Sequence, residues 1–150
     1  MRALLLSLVF LSACATSPGP VGAPAFPALV AAIAPDALVY GPGAWTPGSR
    51  RVLEFANTGG GSVSTLHFKD GVTVITPAGL SFLEWDGQTR SYVTTLRLAR
   101  GTITPSLATL GASCALIVQE NADASFHRFE FVRGAMNDCA TARRALAALS

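Results

Sequence analysis

The chain has 150 residues, half of them apolar and 13% charged, with 11 Lys and Arg against 9 Asp and Glu for a formal charge of +2. So apolar a chain can offset its ordering entropy by burial, which excludes long disorder, and its length leaves room for one domain. The near-neutral balance provides no field to gather nucleic acid or acidic substrates, so no nucleic-acid partner is expected.

The chain opens with Met1-Arg2, a short positive start, followed by an apolar run from Ala3 to Leu11 and then Leu11-Ser12-Ala13-Cys14, small residues before a cysteine. That is the pattern of an export leader. The run is too short for a bilayer span, which needs about 20 residues. From Ala15 to Pro27 (ATSPGPVGAPAFP) there are four prolines, two glycines and no charge. This composition reads as an extended tether that, at about 3 Å per residue, holds a domain on the order of 40 Å from its anchor. Ala28 to Ala34 (ALVAAIA), stopped by Pro35, reads as one or two turns of helix bracing the domain.

The sequence of residues 1 to 14 resembles the lipobox of bacterial lipoproteins. The resemblance implies diacylation of Cys14 on sulfur, cleavage before it and an acylated N-terminus, with residues 1–13 as signal peptide, 14–27 as tether and 28–150 as a single periplasmic domain. Two or three acyl chains make membrane release negligible, where one would not. Ala15, rather than Asp, follows the cysteine and implies outer-membrane sorting. With Cys14 taken by lipid, Cys114 and Cys139 remain as an even pair in an oxidising compartment and are expected to be bridged. Closing a loop of about 25 residues would stabilise the fold by roughly 3 kcal/mol.

From Arg51 to Val132 the pattern is that of strands and turns. Arg51 to Asn57 (RVLEFAN) precedes a turn at Gly59-Gly60-Gly61. Ser62 to Phe68 (SVSTLHF) then leads through Lys69-Asp70-Gly71 into Val72 to Thr76 (VTVIT). Asp-Gly between two β-rich runs signals a hairpin, because glycine accepts the positive φ that tight turns demand. The device recurs at Asp86-Gly87, joining Leu80 to Trp85 (LSFLEW) to Ser91 to Leu98 (SYVTTLRL). In the latter, Tyr92, Thr94, Leu96 and Leu98 alternate against Val93, Thr95 and Arg97. Cys114 to Gln119 and Phe126 to Val132 form a further pair, turning through residues 121–124. After Gly134 the period changes. Asn137 or Asp138 can cap a helix from Cys139 to the end, with Ala142, Leu146 and Leu149 on one stripe.

The fold class is therefore α+β, mainly β: about seven antiparallel strands followed by a C-terminal helix. That element order resembles the pleckstrin-homology-like barrel, in which the resemblance implies an amphipathic helix covering the open end; a lipocalin-like barrel or an open sandwich is the alternative.

Residues that could carry chemistry are few. His67 and His127 stand 60 positions apart in strand patterns and read as sheet residues rather than ligands. With no HExxH, CxxC or third His, no metal and no cofactor are expected. The chain has no GxSxG elbow, and Asn57 to Ser62 lacks the GK[ST] ending of a phosphate loop. No catalytic constellation is expected. Arg51, Arg97 and Arg100 are candidate carboxylate- or phosphate-binding cations. Trp45, in the turn-rich stretch Gly41 to Gly48, either folds back over a barrel mouth or meets a partner. Function is expected to be that of a lipid-anchored, non-catalytic binding or adaptor module with an envelope-protein partner. The alternative is a ligand carrier or an inhibitor, because Ser81 to Gly87 (SFLEWDG) is similar to the tryptophan-containing strand of the c-type lysozyme inhibitors.

Overall fold

Val72 to Ile75 carry a single polar side chain, Thr73, and all four are buried, because this strand is covered on both sides. The computed structural model of the protein describes residues 17–48 and 68–150. Cys14, the candidate cation Arg51, His67, and the expected strands over 51–57 and most of 62–68 lie outside the described residues. Helix α1 (Phe26–Ile33) is followed by β1 (Val39–Gly48), β2 (Lys69–Thr76), β3 (Gly79–Asp86), β4 (Ser91–Ala99) and a 3-10 turn (Arg100–Thr102). Strands β5 (Ile103–Leu110), β6 (Ser113–Glu120), β7 (Phe126–Arg133) and β8 (Met136–Asn137) come next, before helix α2 (Cys139–Leu149). The fold is mainly β, as the sequence implies, but it is not a closed barrel. One antiparallel path runs β4-β3-β2-β1-β7-β6-β5, with β8 paired to β7, and among the described residues no further strand pairs its two ends. The three-residue 3-10 turn joins those two edge strands, so Ala99 and Ile103 are no more than about 14 Å apart. The sheet must curl to allow it.

Two apolar clusters line this sheet. On one face Trp45, Ile75, Leu80, Phe82, Leu98, Leu116, Phe129 and Phe131 meet Ala142, Ala145 and Leu149 of α2. On the other, Val72, Val74, Leu83 and Tyr92 meet Phe26 and Val30 of α1. The two periodicities interlock: Val72 and Val74 serve one cluster, Ile75 the other. In β4 the alternation of burial is as expected, yet the side chains do not share one face. A bulge skips Thr95, pairing Phe82 with Leu96 but Leu83 with Thr94. Tyr92 therefore faces α1 while Leu96 and Leu98 face α2, since one extra residue inverts the pleat.

Three expectations are corrected. Gly41 to Gly48 is not a turn but most of β1, the central strand. Its prolines are tolerated because Pro42 lies where only β2 pairs with it and Pro47 where only β7 does, so each missing N–H faces no ladder. Asp70-Gly71 is not a hairpin turn but the start of β2, where Gly71 sits opposite Gly43. Both glycines are needed for close approach: a Cβ on Gly43 would lie 1.7 Å from the Glu130 carbonyl oxygen, and one on Gly71 2.2 Å from that of Leu83. Finally, the stretch read as a tether to residue 27 lies on the domain from Pro18 onward. Its carbonyl accepts the Tyr92 hydroxyl at 2.7 Å, turns follow, and α1 begins at Phe26 with Pro27 in its first turn.

Helix α2 is set by its ends. The Asp138 side chain caps it, accepting from the Thr141 backbone N–H at 3.1 Å and from the Thr141 hydroxyl at 2.9 Å. Cys139 at its first turn is bridged to Cys114 of β6, with Cα atoms 5.1 Å apart, as expected from the sequence.

Candidate functional site

Where β1 ends and β2 begins, the face that carries α2 becomes polar. Trp45, only 8% exposed, closes the core there; it is neither in a turn nor offered to a partner. Its indole N–H donates to Nδ1 of His127 at 3.2 Å. An indole can only donate, so Nδ1 must be the accepting nitrogen and the ring proton sits on Nε2. Nε2 in turn lies 2.7 Å from Oε1 of Glu120 and donates to it. The Ser125 hydroxyl is within 3.2 Å of the same carboxylate oxygen and 2.7 Å from Oδ1 of Asp123, tying the β6–β7 turn to the imidazole. Hydrogen bonds from the hydroxyl and backbone N–H of Ser125 hold the Asp123 carboxyl below the usual range. On the near side Lys69 stands 5.5 Å from the Trp45 ring and pairs with Glu84 at 2.8 Å. The result is a polar rim of two ion or hydrogen-bonded pairs over an aromatic floor of Trp45, Phe82 and Phe129.

A histidine flanked by a carboxylate suggests general-base chemistry, but the geometry opposes it. The lone pair that would take a proton from a substrate, on Nδ1, is occupied by the Trp45 N–H. His127 is thus a buried link between strands, as a strand histidine reads in the sequence. The sequence contains no sign that Trp45 would flank it, because 82 residues separate the two, whereas Glu120 is seven residues away across the β6–β7 turn.

A second site lies at the other end of the β3–β4 hairpin, beneath the end of α1. Ile33, Leu80, Leu83 and Leu98 lie among the apolar lining of an open groove of about 310 Å³, which Arg97 and Asp36 also line. Its volume is at the lower end of the range for small-molecule sites. Arg97 is exposed on β4 opposite Ser81, and among the described residues it has no ion-pair partner. Arg100 has a structural role instead. Its guanidinium donates to the Ala148 carbonyl at the end of α2, and its backbone N–H to Ala78, pinning the helix to the corner between β4 and β5. The structure does not bring Trp45, Arg97 and Arg100 together in one site.

The segment Ser81 to Gly87 finishes β3 and enters its turn. Trp85 packs edge-on against Tyr92, with ring centres 5.1 Å apart, and the Asp86 carboxylate accepts from the Gln88 N–H and the Thr89 hydroxyl. Those hydrogen bonds hold Asp86 below the usual carboxylate range and commit it to the turn. Among the described residues no group of three or more His, Cys, Asp or Glu is placed to hold a metal ion. Comparison with protein-family models, curated proteins and solved structures finds no match to this chain.

Proposed function

We propose that this chain is a lipid-anchored protein of the bacterial cell envelope, held at the outer membrane through Cys14, and that it acts as a non-catalytic binding or adaptor module. The leader and Leu11-Ser12-Ala13-Cys14 support the anchoring. The antiparallel path and covering helix support the likeness to the pleckstrin-homology-like superfold. The observation that carries the binding reading is the edge strand β5. Its eight residues, ITPSLATL, carry no charge, and among the described residues no strand pairs its outer side. Such an edge offers backbone donors and acceptors to an added strand from a partner, except at Pro105, which has no N–H to donate. The opposite edge is blunted by the bulge at Thr95 and by Arg97.

The test is in-cell photocrosslinking from Ser106, which is exposed on β5. One abundant envelope protein should be captured by the anchored form and lost in Cys14→Ala. Capture of nothing above background would count against an adaptor. A second reading, ligand carriage, is favoured by the groove beside Arg97. Native mass spectrometry of the protein extracted from cells would then show a bound small molecule that Arg97→Ala releases.

A further inference from the structure

From Ser17 to Pro35 (SPGPVGAPAFPALVAAIAP) there is no charged side chain, and Asp36 is the first that follows. Phe26 and Val30 turn inward and are buried, which leaves the water-facing side of α1 to Pro27, Ala28, Ala31, Ala32 and Ile33. Val21, Ile33 and Leu38 are exposed by 38%, 41% and 56%. A surface helix of a soluble domain carries polar or charged residues on that side. With eight residues, α1 is also far too short to cross a bilayer.

The position of the chain ahead of α1 says what this face meets. Pro18 and Gly19 are strapped to the domain, through the Tyr92 hydroxyl on the Pro18 carbonyl and the packing of Gly19 against Tyr92 and Trp85. Cys14 precedes Pro18 by four residues, a reach of no more than about 14 Å. An acyl chain on Cys14 therefore cannot let the domain stand off as a long tether would. It draws the strap and α1 to the headgroups.

We propose that the outward face of α1, together with its strap, rests on the lipid surface beside the anchor, fixing the orientation of the domain on the membrane. The proposal rests on the lipoprotein reading given above. The contact is apolar, since no charged side chain lies from Ser17 to Pro35, so salt should leave it unchanged.

The experiment uses the full chain, expressed with its leader and reconstituted into vesicles of phosphatidylethanolamine and phosphatidylglycerol. A nitrobenzoxadiazole label is placed on Ala32→Cys in α1 or, as a control, on Arg143→Cys, exposed on α2. The Ala32 label should lose most of its fluorescence to doxyl-labelled phospholipid and resist iodide in solution, at low and high salt alike. The Arg143 label should do the reverse. Adding Ala28→Glu should return the Ala32 label to iodide. Equal quenching of the two labels, with intact mass showing an acylated Cys14, would overturn the docking alone. A mass showing free Cys14 would overturn the anchoring and the docking with it.

Discussion

Trp45 and His127 show how a single hydrogen bond settles between a catalytic and a structural histidine. The bond is buried, so its worth lies in what happens when one partner goes. Trp45→Phe keeps most of the ring packing but leaves Nδ1 of His127 without a donor in a site that is 7% exposed. The expected loss is about 1–3 kcal/mol, the range for a buried acceptor left unpaired. Urea unfolding of wild type and variant followed by circular dichroism measures it. An unchanged midpoint would mean that the bond adds nothing. Asp138 is the second residue whose chemistry can be read directly. Burial pushes its carboxyl up, but the two hydrogen bonds from Thr141 and the Arg133 guanidinium at 3.2 Å outweigh burial and hold it below the usual carboxylate range. A group depressed in the folded state stabilises above its unfolded value, near pH 4, and loses that contribution as pH falls through the folded value. Asp138→Ala should therefore cost about 1 kcal/mol at pH 7, the usual worth of a cap. The gap between wild type and variant should narrow in melts below pH 4, and a gap independent of pH would show that the carboxylate charge plays no part.

At the scale of elements, the bridge between Cys114 and Cys139 joins the start of β6 to the first turn of α2 across a sequence separation of 25. Helix α2 is short, and an isolated helix of that length is marginal in water, so its place depends on docking and on this link. Reduction should lower stability by roughly 3 kcal/mol on the chain-entropy model. Two titratable thiols from Cys114 and Cys139 in unfolded, unreduced protein would remove the bridge altogether. The elements legible in the sequence were β2 from Val72 onward, as a β-branched run, and those with one period and a standard stop: β3, β4, β6, β7 and α2 all carry alternation or a helical stripe bounded by turn residues. Strands β1 and β5 were not legible, because Pro42, Pro47 and Pro105 argue against strands unless it is known which side of the chain is unpaired. The faces of β4 were legible only as far as Thr95, since a bulge changes parity without changing composition. For the site, the sequence left Trp45 between core cover and a partner contact, and the structure buries it, while Arg97 is the exposed cation its place in the strand pattern suggests. The Trp45–His127 half of the link depends on register between distant strands, which local pattern does not encode. Arg100 carried no sequence sign of its use at the end of α2.

For the whole molecule, the decisive feature is that one sheet serves two cores. Strand β2 sends Val72 and Val74 toward α1 and Ile75 toward α2, and β3 divides Leu83 from Leu80 and Phe82 in the same way. Neither layer can lose its strands without removing a wall of the other. This coupling predicts a single cooperative transition, despite the thin covering that α1 provides. The two tryptophans allow a test, because Trp45 belongs to the α2 side and Trp85 packs against the α1 side. Truncating Val30, the most deeply buried residue of α1 at 1% exposure, removes contacts on the α1 side only. Val30→Ala should cost about 2 kcal/mol by lost burial and the cavity left behind. If the sheet couples the layers, that loss moves the whole transition: the Trp85 signal in a Trp45→Phe background, the Trp45 signal in a Trp85→Phe background and far-ultraviolet circular dichroism all shift together. If Val30→Ala moves the Trp85 signal to lower urea relative to its own Trp45→Phe background, while the Trp45 signal stays where it was in the Trp85→Phe background, α1 is a separately melting layer. Helix α1 would then be an appendage to the sheet instead of part of its fold.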